Sequence, residues 1–334
     1  MSRAYDNAAD GRYQQGGRRN LIINGAMEVA QRATSVSGST ASGYLTVDRF
    51  RANASGATFN MSQESLTAGQ TDIPQNFKKF LRFNATTSND YAGIRYYHED
   101  VETVQGDVTV SFYAKGTNPA DGYVSFSMSQ NFGSGGSTEV ENIGTNDFTL
   151  TSSWQRFTFN VSMSSISGKT VGTGSFVRMN WWQEDSASTD AWTIDITGVQ
   201  LEYGNVVTPF EHRSYGEELA LCQRYYQKSF AQGVTPQDGQ YTVNVTTAWE
   251  SSTNARGNWI PFPVEMRATP TFTQYGNSSN WQIFTGSSWQ TTTNSNVGAS
   301  VKSYGFYPTL VGGVTNSSLH PWYAKGDYTV DAEL

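Results

Sequence analysis

Five segments of this 334-residue chain alternate apolar and polar side chains with a period of two. Val108, Val110 and Phe112 alternate with Thr109 and Ser111. Val124, Phe126 and Met128 alternate with Ser125, Ser127 and Ser129. Phe157, Phe159 and Val161 alternate with Arg156, Thr158 and Asn160. Val177, Met179 and Trp181 alternate with Arg178, Asn180 and Trp182, and Trp192, Ile194 and Ile196 with Thr193, Asp195 and Thr197. That period predicts strands with one face in a core and the other in water. Fainter patterns lie at Leu21–Val29, Tyr44–Ala52, Thr58–Gln63, Phe80–Thr86 and Gly93–Glu99. About ten strands divided by Gly, Ser and Asn turns read as an antiparallel sandwich of jelly-roll type. Ala33–Gly43 and Asn131–Asn146 are expected to be long polar loops. An aromatic content of 13% excludes a disordered chain.

One segment breaks the pattern. Ser214-Tyr-Gly-Glu217 is a capping box, and Glu218 to Lys228 after it carries a stripe of Leu219, Cys222 and Tyr226. It predicts a helix, with Cys222 as a small buried hydrophobe. Beyond it, short strands are expected at Tyr241–Glu250, Trp259–Glu265, Thr271–Tyr275, Trp281–Thr285, Val301–Tyr307 and Tyr323–Val330. The expected organisation is therefore all-β. It comprises an N-terminal arm over 1–19, a jelly-roll β-sandwich over 20–213, a connecting helix over 214–230 and a smaller β-sandwich over 231–334.

Charge and composition remove several functions. A net charge of −7 argues against nucleic acid as a partner, since that needs a basic surface. No stretch approaches the apolar length of a membrane span, so no membrane insertion is expected. Met1 to Asn20 carries Arg3, Arg12, Arg18 and Arg19 without an apolar core, unlike a secretory signal. A single cysteine, Cys222, allows neither an intrachain disulfide nor a thiolate cluster. His98, His212 and His320 are scattered, and none stands in a metal-binding or nucleophile motif. Glu99-Asp100 and Glu184-Asp185 are the acids nearest to a glycosidase pair. Neighbours in a strand point to opposite faces, so neither pair makes a dyad. The chain is expected not to be an enzyme, and no cofactor is expected.

Sugar binding asks for less: flat rings to lie against sugar C–H faces, and Asn, Gln, Asp or Arg to bond hydroxyls. If Trp181 follows Val177 and Met179 into the core, Trp182 faces out with Asn180 and Arg178. That row, with Tyr97, is the candidate glycan platform. Trp281, Trp289 and Trp322 form a second aromatic supply that no pattern orients.

Three stretches together resemble tail-fibre-like and appendage proteins of tailed bacteriophages and prophages. They are Asn20-Leu-Ile-Ile-Asn-Gly-Ala-Met-Glu-Val-Ala-Gln-Arg32, Val47-Asp-Arg-Phe50, and Ile196-Thr-Gly-Val-Gln-Leu-Glu202 running into Thr208-Pro-Phe-Glu-His-Arg-Ser-Tyr-Gly-Glu-Glu-Leu-Ala-Leu-Cys-Gln-Arg-Tyr-Tyr226. The resemblance covers Asn20 to about Lys228. It implies a virion structural protein, a tail fibre or fibre-like appendage that binds host cell-surface polysaccharide during adsorption. The alternative is a capsid (head) decoration or connector protein, and a polysaccharide depolymerase ranks behind both. It also implies partners among other virion proteins, with Arg3, Arg12, Arg18 and Arg19 in a docking arm, and a homo-oligomer, with a trimer first. The long stalk of many such fibres is missing. The opening Asn-Leu-Ile-Ile-Asn-Gly and the closing strand are similar to the edges of jelly-roll carbohydrate-binding modules. In these a calcium ion can sit where Glu28 and Asp195 stand, but Ile196 replaces a second acid.

Overall fold

The computed structural model describes residues 18–73, 77–184, 191–249, 254–284, 288–295, 301–311 and 322–334. The chain divides into two compact units. The first is Met1–Ala30, Thr34–Glu218 and Leu334, and the second is Gln31–Ala33 and Leu219–Glu333.

The first unit is built on strands β1 (Ser35–Ser39), β2 (Phe50–Ser65), β3 (Lys79–Glu99), β4 (Asp107–Thr117), β5 (Val124–Asn131), β6 (Val140–Phe148), β7 (Gln155–Ser162), β8 (Phe176–Glu184) and β9 (Trp192–Tyr203). β2 and β3 form one long antiparallel hairpin. The free edge of β3 is shared. Leu81–Ala85 pairs with β9, and Tyr91–Glu99 pairs with β8. β4 and β7 extend the β9 side, and β5 and β6 the β8 side. The hairpin can serve two sheets because its register shifts twice, opposite Ser55–Ala57 and Thr58–Phe59, with an extra residue in β3 each time and Gly56 of β2 at φ 60°. Bulges bend and twist a strand. The sheets pack face to face as a β-sandwich. Phe112 of β4 meets Trp181 of β8 at 5.6 Å, Phe126 of β5 at 6.3 Å and Phe148 of β6 at 5.5 Å between ring centroids.

The apolar sides of the alternating strands lie in this core as expected. The polar sides differ from expectation on β4, β5 and β9, where both faces are buried. Three of the covered side chains show how they are satisfied. Thr109 donates to the Gly204 carbonyl, Ser125 to Asp147 and Thr197 to the Lys79 carbonyl. The chain after β9 folds back, so that Thr208 and Glu211 bond Glu202 and Gln200. Asp195 accepts both Nε and Nη2 of Arg82, its cross-strand neighbour, at 2.7 and 2.8 Å. The carboxylate is 3% exposed and the guanidinium 42%. Deleting either partner should therefore have unequal effects. Arg82→Met, which strands a buried charge, is expected to lose about 2–3 kcal/mol in urea unfolding, against about 1 for Asp195→Asn, whose arginine can turn to water. Equal losses would contradict this account of the pair.

Several local expectations need correction, among them Tyr44–Ala52, where the strand begins only at Phe50 after Arg49 at φ 72°. Leu21–Val29 is buried but not a strand, because Asn24 and Met27 take φ of 62° and 59° and turn the chain. The expected loops Ala33–Gly43 and Asn131–Asn146 contain β1 and most of β6. Thr58–Gln63 continues an unbroken β2, and Phe80–Thr86 and Gly93–Glu99 are one strand. The capping box holds, with Glu217 N bonding Ser214 Oγ at 3.3 Å and Ser214 N bonding Glu217 at 3.1 Å. However, helix α1 is only Tyr215–Gln223. Tyr225 N bonds the Cys222 carbonyl, and Tyr226–Lys228 becomes a strand. Two consecutive tyrosines favour that extended path. Cys222 is 1% exposed and unbridged.

In the second unit that strand is β10. It is followed by β11 (Val243–Trp249), β12 (Asn254–Gly257), β13 (Ile260–Pro261), β14 (Thr271–Tyr275), β15 (Gln282–Phe284), β16 (Trp289–Thr291), β17 (Asn294–Ser295), β18 (Gly305–Phe306), β19 (Thr309–Val311) and β20 (Trp322–Asp331). β20 is the axis. Its first half lies between β11 and β15, and its second half between β10 and β14. Gly326 marks the change, since a Cβ there would stand 2.4 Å from the Trp281 ring. Trp281, Phe306, Tyr328 and Phe272 form the core beneath it.

Candidate functional site

Antiparallel register places Trp182 opposite Gly93 and Ser125, Asn180 opposite Arg95 and Ser127, and Arg178 opposite Tyr97 and Ser129. Trp181 lies in the core at 0% exposure, so Trp182 faces the other way, as its neighbour's burial requires. The outer side of β2, β3, β8, β5 and β6 is thus a layer in which Arg51, Tyr91, Arg95 and Trp182 are half-buried over buried Asn180, Ser125, Ser127 and Ser129. Gly93 is required where β3 passes β8, because a Cβ there would meet the Trp181 carbonyl at 2.3 Å and Trp182 Cα at 2.8 Å.

Trp182 is half-buried and stacks on Tyr91, with centroids 5.6 Å apart and planes 24° apart. Its Nε1 donates to Ser127 Oγ at 3.3 Å, which fixes the ring's rotation. Asn180 ties the platform together. Its Oδ1 accepts the Tyr91 hydroxyl at 2.7 Å and Arg95 Nε at 3.2 Å. Burial pushes the Tyr91 hydroxyl above its ordinary pKa, against the pull of the Arg95 guanidinium, so it stays a protonated donor at neutral pH. Arg178 bonds Glu139 at 2.9 Å, Glu141 at 3.1 Å and Ser129 at 3.1 Å. These contacts give a preorganised pair of rings rimmed by polar groups, which is what a sugar-binding surface needs and what no acid–base dyad supplies.

Three of the expected residues, Arg178, Asn180 and Trp182, do share this side, but Asn180 is 7% exposed and positions Tyr91 and Arg95 rather than facing solvent. Tyr97 does not serve as a platform. It is 5% exposed, stacked on Phe176 at 4.7 Å and met edge-on by Tyr44 at 6.5 Å, so only its hydroxyl works, accepting Arg51 at 3.0 Å. Tyr91 takes the stacking role, and the sequence reading missed it together with Arg95 and Arg51. The signal was the alternation Tyr91, Gly93, Arg95, Tyr97 on the wet side of β3.

The remaining expectations fall elsewhere. Arg3 and Arg12 lie outside the described residues. Arg18 pairs with Glu217 at 3.0 Å, and Arg19 is exposed. Asp195 gives both oxygens to Arg82, so the pair Glu28 and Asp195 does not fit a calcium ligand set. Among the described residues no three His, Cys, Asp or Glu side chains gather as metal ligands, and no helix is long and apolar enough to cross a membrane. Asp100 caps a short turn by accepting the Glu102 amide. Asp185, His320 and the side chains of Glu184 and Trp322 lie outside the described residues. Trp281 is core, while Trp289 is 38% exposed with the Lys325 ammonium 4.2 Å above its ring.

No protein-family model matches the sequence, and no curated protein matches it. Among solved structures the chain is similar to a xylan-binding domain from Paenibacillus barcinonensis. The two share 16% identity over 52% of this chain and 96% of that one, at a TM-score of 0.31. It is also similar to the enzymatically active domain of tailspike protein 4 of bacteriophage CBA120, with 11% identity over 55% of this chain and 21% of that one, at 0.33. A carbohydrate-binding module in complex with β-1,4-galactotriose shares 13% identity over 55% of this chain and 98% of that one, at 0.29. Likenesses of this extent leave the ligand to be argued from the side chains of the face itself.

Proposed function

We propose that the chain is a non-enzymatic glycan-binding protein that holds host cell-surface polysaccharide on the outer face of β3 and β8. The observation that carries this is the Trp182–Tyr91 stack, locked by Ser127 and Asn180 on a sheet face of hydrogen-bonding side chains. Two fixed rings offer area to a sugar at little cost in side-chain entropy. Weak single sites gain strength when several copies act together. The setting we propose comes from the three resembling stretches: a bacteriophage virion, as tail fibre or appendage, in a homo-oligomer held by its N-terminal arm. In that setting the jelly-roll sandwich of 20–213 carries the receptor site, and the smaller β-sandwich of 231–334 follows it.

The test is binding of the whole chain to immobilised bacterial polysaccharides. Trp182→Ala should weaken binding at least about ten-fold, or about 1.4 kcal/mol, while circular dichroism and melting stay those of the wild type. Undiminished binding by that variant would refute the assignment of the site. Deleting residues 1–19 separates the settings. An appendage that docks through its arm loses particle attachment and keeps polysaccharide binding.

A further inference from the structure

Arg51 of β2 and Arg95 of β3 are direct cross-strand neighbours on the outer face. Like charges placed so are mutually destabilising. Five arginines, Arg18, Arg32, Arg82, Arg178 and Arg213, sit on carboxylates. Arg51 and Arg95 do not. Arg51 donates to the Tyr97 hydroxyl at 3.0 Å, and Arg95 to the Tyr91 hydroxyl and Asn180 Oδ1, both at 3.2 Å. Among the described residues neither has a carboxylate within ion-pair distance. Both are half-buried, so water screens them only in part. The phenols hold the guanidiniums in place without cancelling their charge. Two aimed forks with no anion between them, in a protein of net charge −7, form an incomplete ion site. Guanidinium is the cation best shaped for a planar carboxylate, which it binds by two parallel bonds.

Resting on the glycan-binding role above, we propose that Arg51 and Arg95 form a subsite for the carboxylate of an acidic sugar in the polysaccharide that lies on Trp182 and Tyr91. Arg95 lies two residues along β3 from Gly93, the cross-strand partner of Trp182, and on the same face. A ring stacked on the platform therefore has a neighbouring residue within reach of the pair. The bound sugar acid completes the ion site and removes the repulsion, so selectivity for charge is built into the face.

The experiment uses the full chain and an array of uronate- and sialate-containing glycans, each paired with its carboxyl-reduced neutral form, with dextran sulfate as a separate arm. Wild type should bind acidic members at least ten-fold more tightly than their reduced partners, with the preference shrinking as NaCl rises from 20 to 300 mM. Arg51→Gln and Arg95→Gln should each cut that preference to less than three-fold. Arg51→Gln should melt no lower than wild type, because it removes a repulsion; an arginine with a purely structural role would lower melting when lost. Equal binding of acidic and reduced forms, an intact preference in both arginine variants, or dextran sulfate binding that ignores Trp182→Ala would each overturn the proposal. If Trp182→Ala abolishes binding while the arginine variants keep their preference, the glycan site stands and the acid subsite falls. If wild type binds no member of the array, both fall.

Discussion

Asn24→Ala is expected to lower the stability of the first unit by about 3–5 kcal/mol, read as a fall in the urea midpoint at unchanged slope. Asn24 is 0% exposed. Its Nδ2 donates to the carbonyls of Val29 at 2.8 Å and Asp48 at 2.9 Å, and its Oδ1 accepts Val29 N at 2.9 Å. Alanine leaves those three buried backbone groups without their partner, at about 1 kcal/mol or more each. It must also hold φ at 62°, which asparagine tolerates and alanine resists by about 1 kcal/mol. Asn24→Gly separates the two effects, since it removes the bonds but not the backbone freedom. A loss below about 1 kcal/mol for the alanine variant would mean that water or a shifted loop replaces the side chain.

The result bears on what the three resembling stretches do. The Asn24 amide bonds Glu218, which also accepts Arg213, and Arg213 reaches the Ile22 and Asn20 carbonyls. Burial pushes the Glu218 carboxyl above the usual carboxylate range, opposed by Arg213. Glu211 accepts the Asn20 amide, and the Asn20 side chain bonds Val199 and Leu201. All three resembling stretches therefore converge on one hydrogen-bonded junction where the chain enters the sandwich. Trp182, Tyr91, Arg95 and Asn180 belong to none of them. The resemblance speaks for the scaffold, and the proposed glycan site rests on the chemistry of its own face.

This division explains what could be read from the sequence. Period two is a local signal, so β4, β5, β7, β8 and β9 were legible, and so was the outward turn of Trp182 once Trp181 was placed inside. Leu21–Val29 has a strand's composition, but its path is set by the side chains of Asn20 and Asn24, which act at long range. β3 looked like two strands because Thr86-Thr-Ser-Asn-Asp90 resembles a turn, whereas the hairpin partner carries the strand through it. Tyr97 looked exposed by alternation and is covered by Phe176 from the next strand. Tyr91 and Arg95 needed the register of β3 against β8, which neither segment states alone.

Trp181→Ala should show the opposite signature to Trp182→Ala, although the two residues are adjacent. Trp181 has no exposed surface. Its indole meets Phe112 edge-on at 5.6 Å and 89° and Phe126 at 5.4 Å and 54°, so it joins the β4 and β8 sides of the sandwich. Phe112 in turn contacts Phe126, Phe148, Phe157 and Phe159. Rings packed this way cannot relax into the space an indole leaves, and replacing a buried aromatic by alanine costs about 3–5 kcal/mol. The expected result is a large fall in the first unit's melting temperature, with the polysaccharide affinity of the folded fraction at low temperature within about three-fold of wild type, roughly 0.6 kcal/mol. Trp181→Phe should recover more than half of the lost stability, since it keeps an aromatic edge toward Phe112. Wild-type melting in Trp181→Ala would disprove the packing assignment. A Trp181 variant that melts normally but no longer binds would exchange the roles of the two tryptophans, and with them the two faces of β8.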